Sequence, residues 1–211
     1  MRLILTPKNK LEVNEENQTI TKIFTRSEDF IKELYIYQHN PLFAPRFIKA
    51  DKMNHTITLQ QIVGKTIFNI QPDFQQVAQL FLQLHQFEDK TLCMMDTNPN
   101  NIIFQQKENQ YYLIDFSDWQ YEHKEFDLIH FMLFWASIYN EKTFEQAARN
   151  FLDEYDKILK ISRDIWKEKV LEIIDIFDER RRRFNRRINL PEADIEENRK
   201  FLLNFWHLVE N

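Results

Sequence analysis

Glycine is nearly absent: Gly64 is the only one in 211 residues. Folds that cradle phosphates with closely approaching backbone usually carry several glycines, so a Gly-rich phosphate loop is excluded. Cysteine is as scarce, and Cys93 alone rules out an internal disulfide or a thiolate zinc site and fits a reducing compartment. No run of about 18 apolar residues occurs, and residues 1–20 hold no apolar stretch with a signal-cleavage pattern. The expectation is a soluble cytoplasmic protein without a transmembrane segment. Positive charge is not in excess either. With a net charge of -5 and a pI near 5.7, the chain has no general attraction for nucleic acid, which is not an expected partner.

Apolar and aromatic side chains, by contrast, are plentiful. They make up 43% and 14% of the chain, with 19 Phe, enough for a packed core and too many for a disordered chain. The length suits one ordinary domain or two small lobes sharing an interface.

Residues 84–119 organise the rest. They read as the end of an amphipathic helix, a polar turn, the apolar run Ile102, Ile103 and Phe104, a polar hairpin turn at 105–110, and a second apolar run at 111–114. Asp96 stands in the turn before the first strand and Asp115 follows the second, and in an antiparallel pair those two ends lie side by side. Asn101, five residues after Asp96, can turn its amide to the same mouth. Such a set offers one carboxylate to accept a hydroxyl proton, with an amide and a second carboxylate to hold a hard cation such as Mg²⁺.

The arrangement resembles the catalytic loop and metal-binding strand of the protein-kinase-like fold. The Asp-x-x-x-x-Asn spacing is met by Asp96 and Asn101, and the Asp-Phe-Gly element by Asp115-Phe116-Ser117. Leu84-His85 and Asn101-Ile102-Ile103 are similar to the wording of aminoglycoside phosphotransferases, lipopolysaccharide Kdo and heptose kinases and RIO-like kinases. The resemblance implies ATP and Mg²⁺ as cofactors, Asp96 as the catalytic residue, and Asn101 with Asp115 as metal ligands. Two departures stand out. The turn at 7–10 that would cover the nucleotide phosphates has Lys8 and Lys10 but no glycine, and Met94-Met95 replace the His-Gly or His-Arg of relatives. Met fills that space by shape. The missing Arg implies no regulation by a phosphorylated loop.

In the alternating strand Thr19-Ile20-Thr21-Lys22-Ile23-Phe24, Lys22 shares a face with Ile20 and Phe24. A lysine there needs an anion unless it is simply solvated. The resemblance implies nucleotide phosphates, with a helix glutamate holding the lysine. Ser27-Glu28-Asp29 is an N-terminal cap signal, Phe30, Ile31, Leu34 and Tyr37 follow at helical spacing, and mid-helix Glu33 is the expected partner, with Glu28 in reserve. Strands are expected at 47–50 and 56–62. After them Gln61-Ile62-Val63-Gly64-Lys65-Thr66 looks like the hinge of phosphotransferases, where the backbone of Gln61, Ile62 and Val63 would pair with adenine.

A helix at 73–84 runs into the catalytic turn with His85 packed at its end. The segment 116–124 is short and lacks an Ala-Pro-Glu equivalent, so a platform for a polypeptide substrate is hard to build. Asp118 is a third acid near the metal region or a solvated loop residue, and Asp127 resembles the aspartate that braces the catalytic loop. Helices are expected at 141–159, 163–187 and 193–209. Six arginines fall within 180–187. They are either a site for phosphate, an acidic sugar, an anionic headgroup or RNA, with Arg180, Arg183 and Arg187 as candidate contacts, or a helix end whose cations suit the dipole and pair with Asp178 and Glu179.

The expected fold is α+β and bilobal, protein-kinase-like, with an N-lobe at 1–62 built of a small antiparallel sheet and one helix and a helical C-lobe at 63–211. The expected function is ATP-dependent transfer of a phosphate to a hydroxyl of a small molecule such as a bacterial surface sugar or glycolipid. The alternatives are an inactive kinase-like binding or scaffold protein and a RIO-like Ser/Thr protein kinase.

Overall fold

The structure is a computed structural model that describes residues 2–6, 9–183 and 190–209. Lys8 and Arg187 of the sequence reading lie outside these residues. From the N-terminus the chain forms strands β1 (Arg2–Leu5), β2 (Asn9–Asn14) and β3 (Thr19–Phe24), helix α1 (Ser27–Tyr37), then β4 (Phe47–Asp51), β5 (Thr56–Gln60) and β6 (Lys65–Thr66). Helix α2 (Phe74–His85) leads to β7 (Leu92–Cys93), the hairpin β8 (Ile102–Gln105) and β9 (Gln110–Leu113), and β10 (Gln120–Tyr121). Helices α3 (Lys124–Ala136), α4 (Glu141–Ile158), α5 (Arg163–Arg183) and α6 (Glu192–Val209) follow.

Two compact units result: Met1–Gln71 with Asn100–Trp119, and Pro72–Pro99 with Gln120–Asn211. A lobe boundary at 62/63 is a different cut, because packing keeps the β8–β9 hairpin with the N-terminal unit.

The first unit is built on an antiparallel sheet ordered β1-β2-β3-β5-β4. Its period-two pattern buries Val13, Phe24, Ile57 and Leu59. Phe30, Glu33, Ile36 and Tyr37 form the buried face of α1. The N-cap of that helix is Arg26, without a side-chain cap bond, rather than Ser27. Glu28 and Asp29 instead occupy the first turn, where acids suit the positive end of the helix dipole. A second sheet, β6-β8-β9, pairs Ile102 with Leu113 and Thr66 with Ile103. The hairpin is tied to the loop after α1 by Leu113 N–H donating to the Phe43 carbonyl (2.7 Å).

Gly64 explains itself here by contact. A Cβ at Gly64 would lie 2.3 Å from the Phe104 carbonyl oxygen and 2.8 Å from Ile103 Cγ2, so any side chain would push the hinge segment off β8. Left-handed backbone falls instead on Gln18, Asn40, His55, Met95, Asn109 and Asp115.

In the second unit every residue of α3 from Glu125 to Ala136 is buried, the polar Glu125, Asp127 and His130 among them. The single-striped helices α2, α4 and α5 bury Phe81, Phe151 and Trp166. Asp73 caps α2 by accepting from the Gln75 and Gln76 amides, and Asn140 caps α4 through the Thr143 amide. Asn198 of α6 donates to the carbonyls of Ala136 (2.9 Å) and Tyr139 (2.8 Å), satisfying groups left open where α3 ends. Among the described residues no helix is long and apolar enough to cross a membrane.

Candidate active site

In the first unit Lys22, Glu33 and Asp115 come together. β3 lies between β2 and β5, opposite Leu11 and Ile57 at Lys22, and so carries this lysine to mid-sheet. Lys22 Nζ donates to Glu33 Oε1 (2.5 Å) and to Asp115 Oδ1 (3.0 Å) and lies 5.3 Å from the centroid of the Phe24 ring. Glu33 is fully buried, Lys22 nearly so, and Asp115 about one-third exposed.

Two carboxylates thus share one ammonium, one of them fully buried and the other partly exposed. Burial opposes the charge on Lys22, but Glu33 and Asp115 together outweigh it and hold its pKa above the ordinary lysine value. Burial and then the charge of Asp115 push the Glu33 carboxyl up to about 8, against the pull of Lys22. The second oxygen of Glu33, Oε2, is buried and has no hydrogen-bond partner. The raised Glu33 value reflects the cost of placing a second carboxylate charge beside Asp115 in a buried site.

Asp115 has left-handed backbone (φ 65°), a conformation that Asp visits more readily than most residues at a cost of about 1–2 kcal/mol. Ser117, where the Asp-Phe-Gly element has glycine, donates its hydroxyl to Asp115 Oδ1 (3.4 Å). Asn101 reaches the same end of the hairpin, since its carbonyl accepts from Ile114 N–H (2.9 Å) and extends the β8–β9 pairing by one step. Phe116 packs edge-on against Tyr37 and Phe43, Trp119 stacks on Tyr35 (5.3 Å), and its indole N–H donates to the Lys32 carbonyl (2.9 Å). The helix that carries Glu33 is thereby latched to the segment that follows Asp115.

At the hinge the Gln61 amide donates to the Gln18 carbonyl (2.8 Å), Ile62 is half-buried and Val63 is exposed. Asp118 is half-buried.

Asp96 belongs to the second unit, half-buried after β7. Its neighbours are held on both sides. The Met94 and Met95 amides donate to Asp127 Oδ2 (2.6 Å) and Oδ1 (3.0 Å), and Thr97 Oγ1 bonds His130 Nδ1 (2.8 Å). Behind Asp127, His85 Nε2 lies 3.3 Å from Oδ2 and its Nδ1 bonds the Tyr155 hydroxyl (2.6 Å). Met95 is left-handed (φ 64°), a strain of about 1–3 kcal/mol for such a residue. Two hydrogen bonds to a buried carboxylate, each contributing roughly 1.5–3 kcal/mol, offset it.

His85, Cys93 and Asp127 cluster closely enough to suggest ligands, with donor atoms within 4.8 Å of one another. Both ring nitrogens of His85 and both Asp127 oxygens are engaged in the bonds just given, and burial pushes the Cys93 thiol far up. The trio is an anchor for the Asp96 loop.

The arginine run divides by helical face. Arg180 Nη1 donates to the Met95 carbonyl (2.6 Å), Arg182 Nε to the Asp178 carbonyl (3.3 Å), and Arg181 lies 3.9 Å from Asp178 Oδ1. The Asp178 carboxylate is gripped by both terminal nitrogens of Arg199 (2.5 and 3.1 Å). Arg183 is exposed. Sequence reasoning missed the Arg180, Trp119 and Thr97–His130 contacts. In the first two the acceptor is a backbone carbonyl, which leaves no mark in residue type.

No protein-family profile matches the chain, and no curated protein matches it in sequence. Solved structures do match in shape. A choline kinase from Streptococcus pneumoniae aligns over 93% of this chain and 89% of its own at 14% identity, with a TM-score of 0.58. An aminoglycoside phosphotransferase from Alicyclobacillus acidocaldarius aligns over 100% and 92% at 11% identity, TM-score 0.64. A choline/ethanolamine kinase family protein from Mesorhizobium loti aligns over 99% and 87% at 9% identity, TM-score 0.61. The α+β fold of this chain is therefore the protein-kinase-like fold, in the form seen in those small-molecule kinases.

Proposed function

We propose that the chain is an ATP-dependent phosphotransferase that moves the γ-phosphate to a hydroxyl of a small molecule. The observation that carries this reading is the Lys22–Glu33–Asp115 cluster, set at one end of the hairpin that also presents Asn101. In it Lys22 steadies the nucleotide phosphates, Glu33 orients Lys22, and the backbone of Gln61, Ile62 and Val63 meets adenine. With the Gln61 amide already bonded to Gln18, adenine pairing falls to the remaining backbone groups of those three residues.

The donor set fits a hard divalent cation: a partly exposed carboxylate and an amide, beside a buried glutamate with an orphaned oxygen. Asp115 and Asn101 would hold Mg²⁺, which when bound supplies neutralisation of phosphate charge. Asp96 accepts the proton of the acceptor hydroxyl as that oxygen bonds to the γ-phosphorus and the bond to ADP breaks. Alignment and charge placement supply most of the rate, because phosphoryl transfer asks for little covalent chemistry from the protein.

Only 116–123 separate Asp115 from α3, too little chain to build a platform for a polypeptide. A small hydroxylated acceptor follows, such as a bacterial surface sugar or glycolipid met from the cytoplasm. The exposed Arg183 is a candidate contact for an anionic group on it.

The test is Mg²⁺-dependent ATP turnover with hydroxylated acceptors. Asp115→Ala should abolish it while the circular dichroism and melting transition persist, and turnover retained by that variant defeats the metal assignment. A second reading, a kinase-like binding protein without turnover, is favoured by the glycine-free turn between β1 and β2. A thermal shift with ATP and Mg²⁺ but no turnover would select it, whereas autophosphorylation on Ser or Thr would select a RIO-like kinase.

A further inference from the structure

We infer that Arg180 is a positioning residue for Asp96, an inference that rests on the phosphotransferase reading for its kinetic consequence but not for its geometry. The carbonyl of Met95 and the amide nitrogen of Asp96 belong to one planar peptide unit. A group that fixes that carbonyl fixes the plane from which Asp96 projects. Arg180 Nη1 bonds it at 2.6 Å, a charge-assisted bond from a rigid, permanently charged fork.

On the other side of Met95, the amide is held at 3.0 Å by Asp127 Oδ1. A carboxylate on α3 and a guanidinium on α5 thus grip the two ends of a single left-handed residue, while Thr97 is held by His130 on the far side of Asp96. The sequence beside Asp96, Met94-Met95-Asp96-Thr97, has no cation of its own. α5 brings one from 85 positions away.

The run of arginines does not make this contact interchangeable. Arg181 and Arg182 turn to Asp178, and of these three only Arg180 reaches the loop. Arg199 on α6 grips the Asp178 carboxylate with two nitrogens, two residues before Arg180, and so sets where the last turn of α5 stands. Part of the run is thereby accounted for without any anionic ligand.

The test compares Arg180→Met, which keeps length and loses the donor, with Arg180→Lys, which keeps the charge, in the full chain. Arg180→Met should lower kcat by ~100-fold, the size of loss a misplaced catalytic group produces, leave KM for ATP with Mg²⁺ within about twofold, and be partly rescued by Arg180→Lys. Independently of turnover, amide hydrogen exchange at Met95, Asp96 and Thr97 should quicken at least tenfold in Arg180→Met while amides within α2 and α3 stay protected. Unchanged kcat and unchanged exchange in a folded Arg180→Met overturn the inference, as does a parallel rise in KM for ATP. If Arg180→Met does not fold, Arg180→Gln, which keeps a neutral donor, decides by the same two readouts. A wild-type chain without turnover defeats the phosphotransferase reading, and the exchange measurement alone then decides the clamp.

Discussion

Replacing Glu33 by Gln should change how stability depends on pH more than it changes stability itself. In the native protein the Glu33 carboxyl titrates near 8 instead of at its ordinary 4.5, because it is fully buried and shares one ammonium with Asp115. Between those two values the folded chain holds a proton that the unfolded chain has released. The stabilisation is fully present below pH 4.5 and is lost as pH rises toward 8, at up to about 1.4 kcal/mol per pH unit. The interval caps the loss at roughly 5 kcal/mol, and because Lys22 and Asp115 relax with the proton a fall of about 2–3 kcal/mol is the expected outcome.

The assay is urea unfolding of the ligand-free chain at half-unit steps from pH 5 to 8.5, at constant ionic strength. Wild type should lose stability steadily across that range and Glu33→Gln should be flatter by the amount given. Mg²⁺ with ATP should flatten the wild-type curve too, since a cation at Asp115 removes the repulsion felt by Glu33. A wild-type curve that is level or rises from pH 5 to 8, with the variant parallel to it, would refute the raised Glu33 carboxyl and the repulsion from Asp115 behind it.

Gly64→Ala places a Cβ against the Phe104 carbonyl and should cost about 2–3 kcal/mol in urea unfolding, because backbone rather than a flexible side chain must yield; a neutral effect would mean the hinge segment is loosely held on β8. Trp119→Phe keeps the stack on Tyr35 but loses the bond to the Lys32 carbonyl, for about 1 kcal/mol, whereas Trp119→Ala loses both, for about 2–3 kcal/mol; equal losses would dismiss the indole N–H as a latch. Asp127→Asn turns an NH₂ toward one of the two amides that now donate to it and should cost roughly 2–4 kcal/mol. Exchange at Met94 and Met95 should rise with it, and a protected loop in that variant would show the anchor to lie elsewhere.

How far the sequence alone could lead depends on what kind of signal each feature leaves. Helix faces were readable because apolar residues recur along them, and the hairpin because two apolar runs flank a polar turn at 105–110, between Gln105 and Gln110 of β8 and β9. Lys22 and Glu33 could be paired from position, one on a strand face flanked by apolar residues, the other on the buried face of the next helix. The two-residue strands β6, β7 and β10 are too short for any period to show. The start of α1 was misjudged because Ser27 has the residue type of a cap, while Arg26 has the backbone conformation of one. The bonds of Arg180 to Met95 and of Trp119 to Lys32 join positions 85 and 87 apart to backbone acceptors, and any residue at 95 or 32 would have offered the same carbonyl.

Scarcity of glycine connects the turns to the candidate site. Left-handed backbone at Gln18, Asn40, His55 and Asn109 falls on residues of which Asn and His tolerate it best, and these positions close turns at the surface. At Met95 and Asp115 the same conformation falls in the two segments to which chemistry is assigned, and there local tolerance is not enough. Met95 is held by Asp127 and Arg180, Asp115 by Lys22 and Ser117. A glycine at either place would lower the strain but also free the backbone to leave that conformation, raising the entropy lost on folding. A side chain held left-handed by charged partners stays put only while those partners remain, so variants of Arg180 or Lys22 should loosen the backbone at positions 95 and 115 before they unfold the units that carry them.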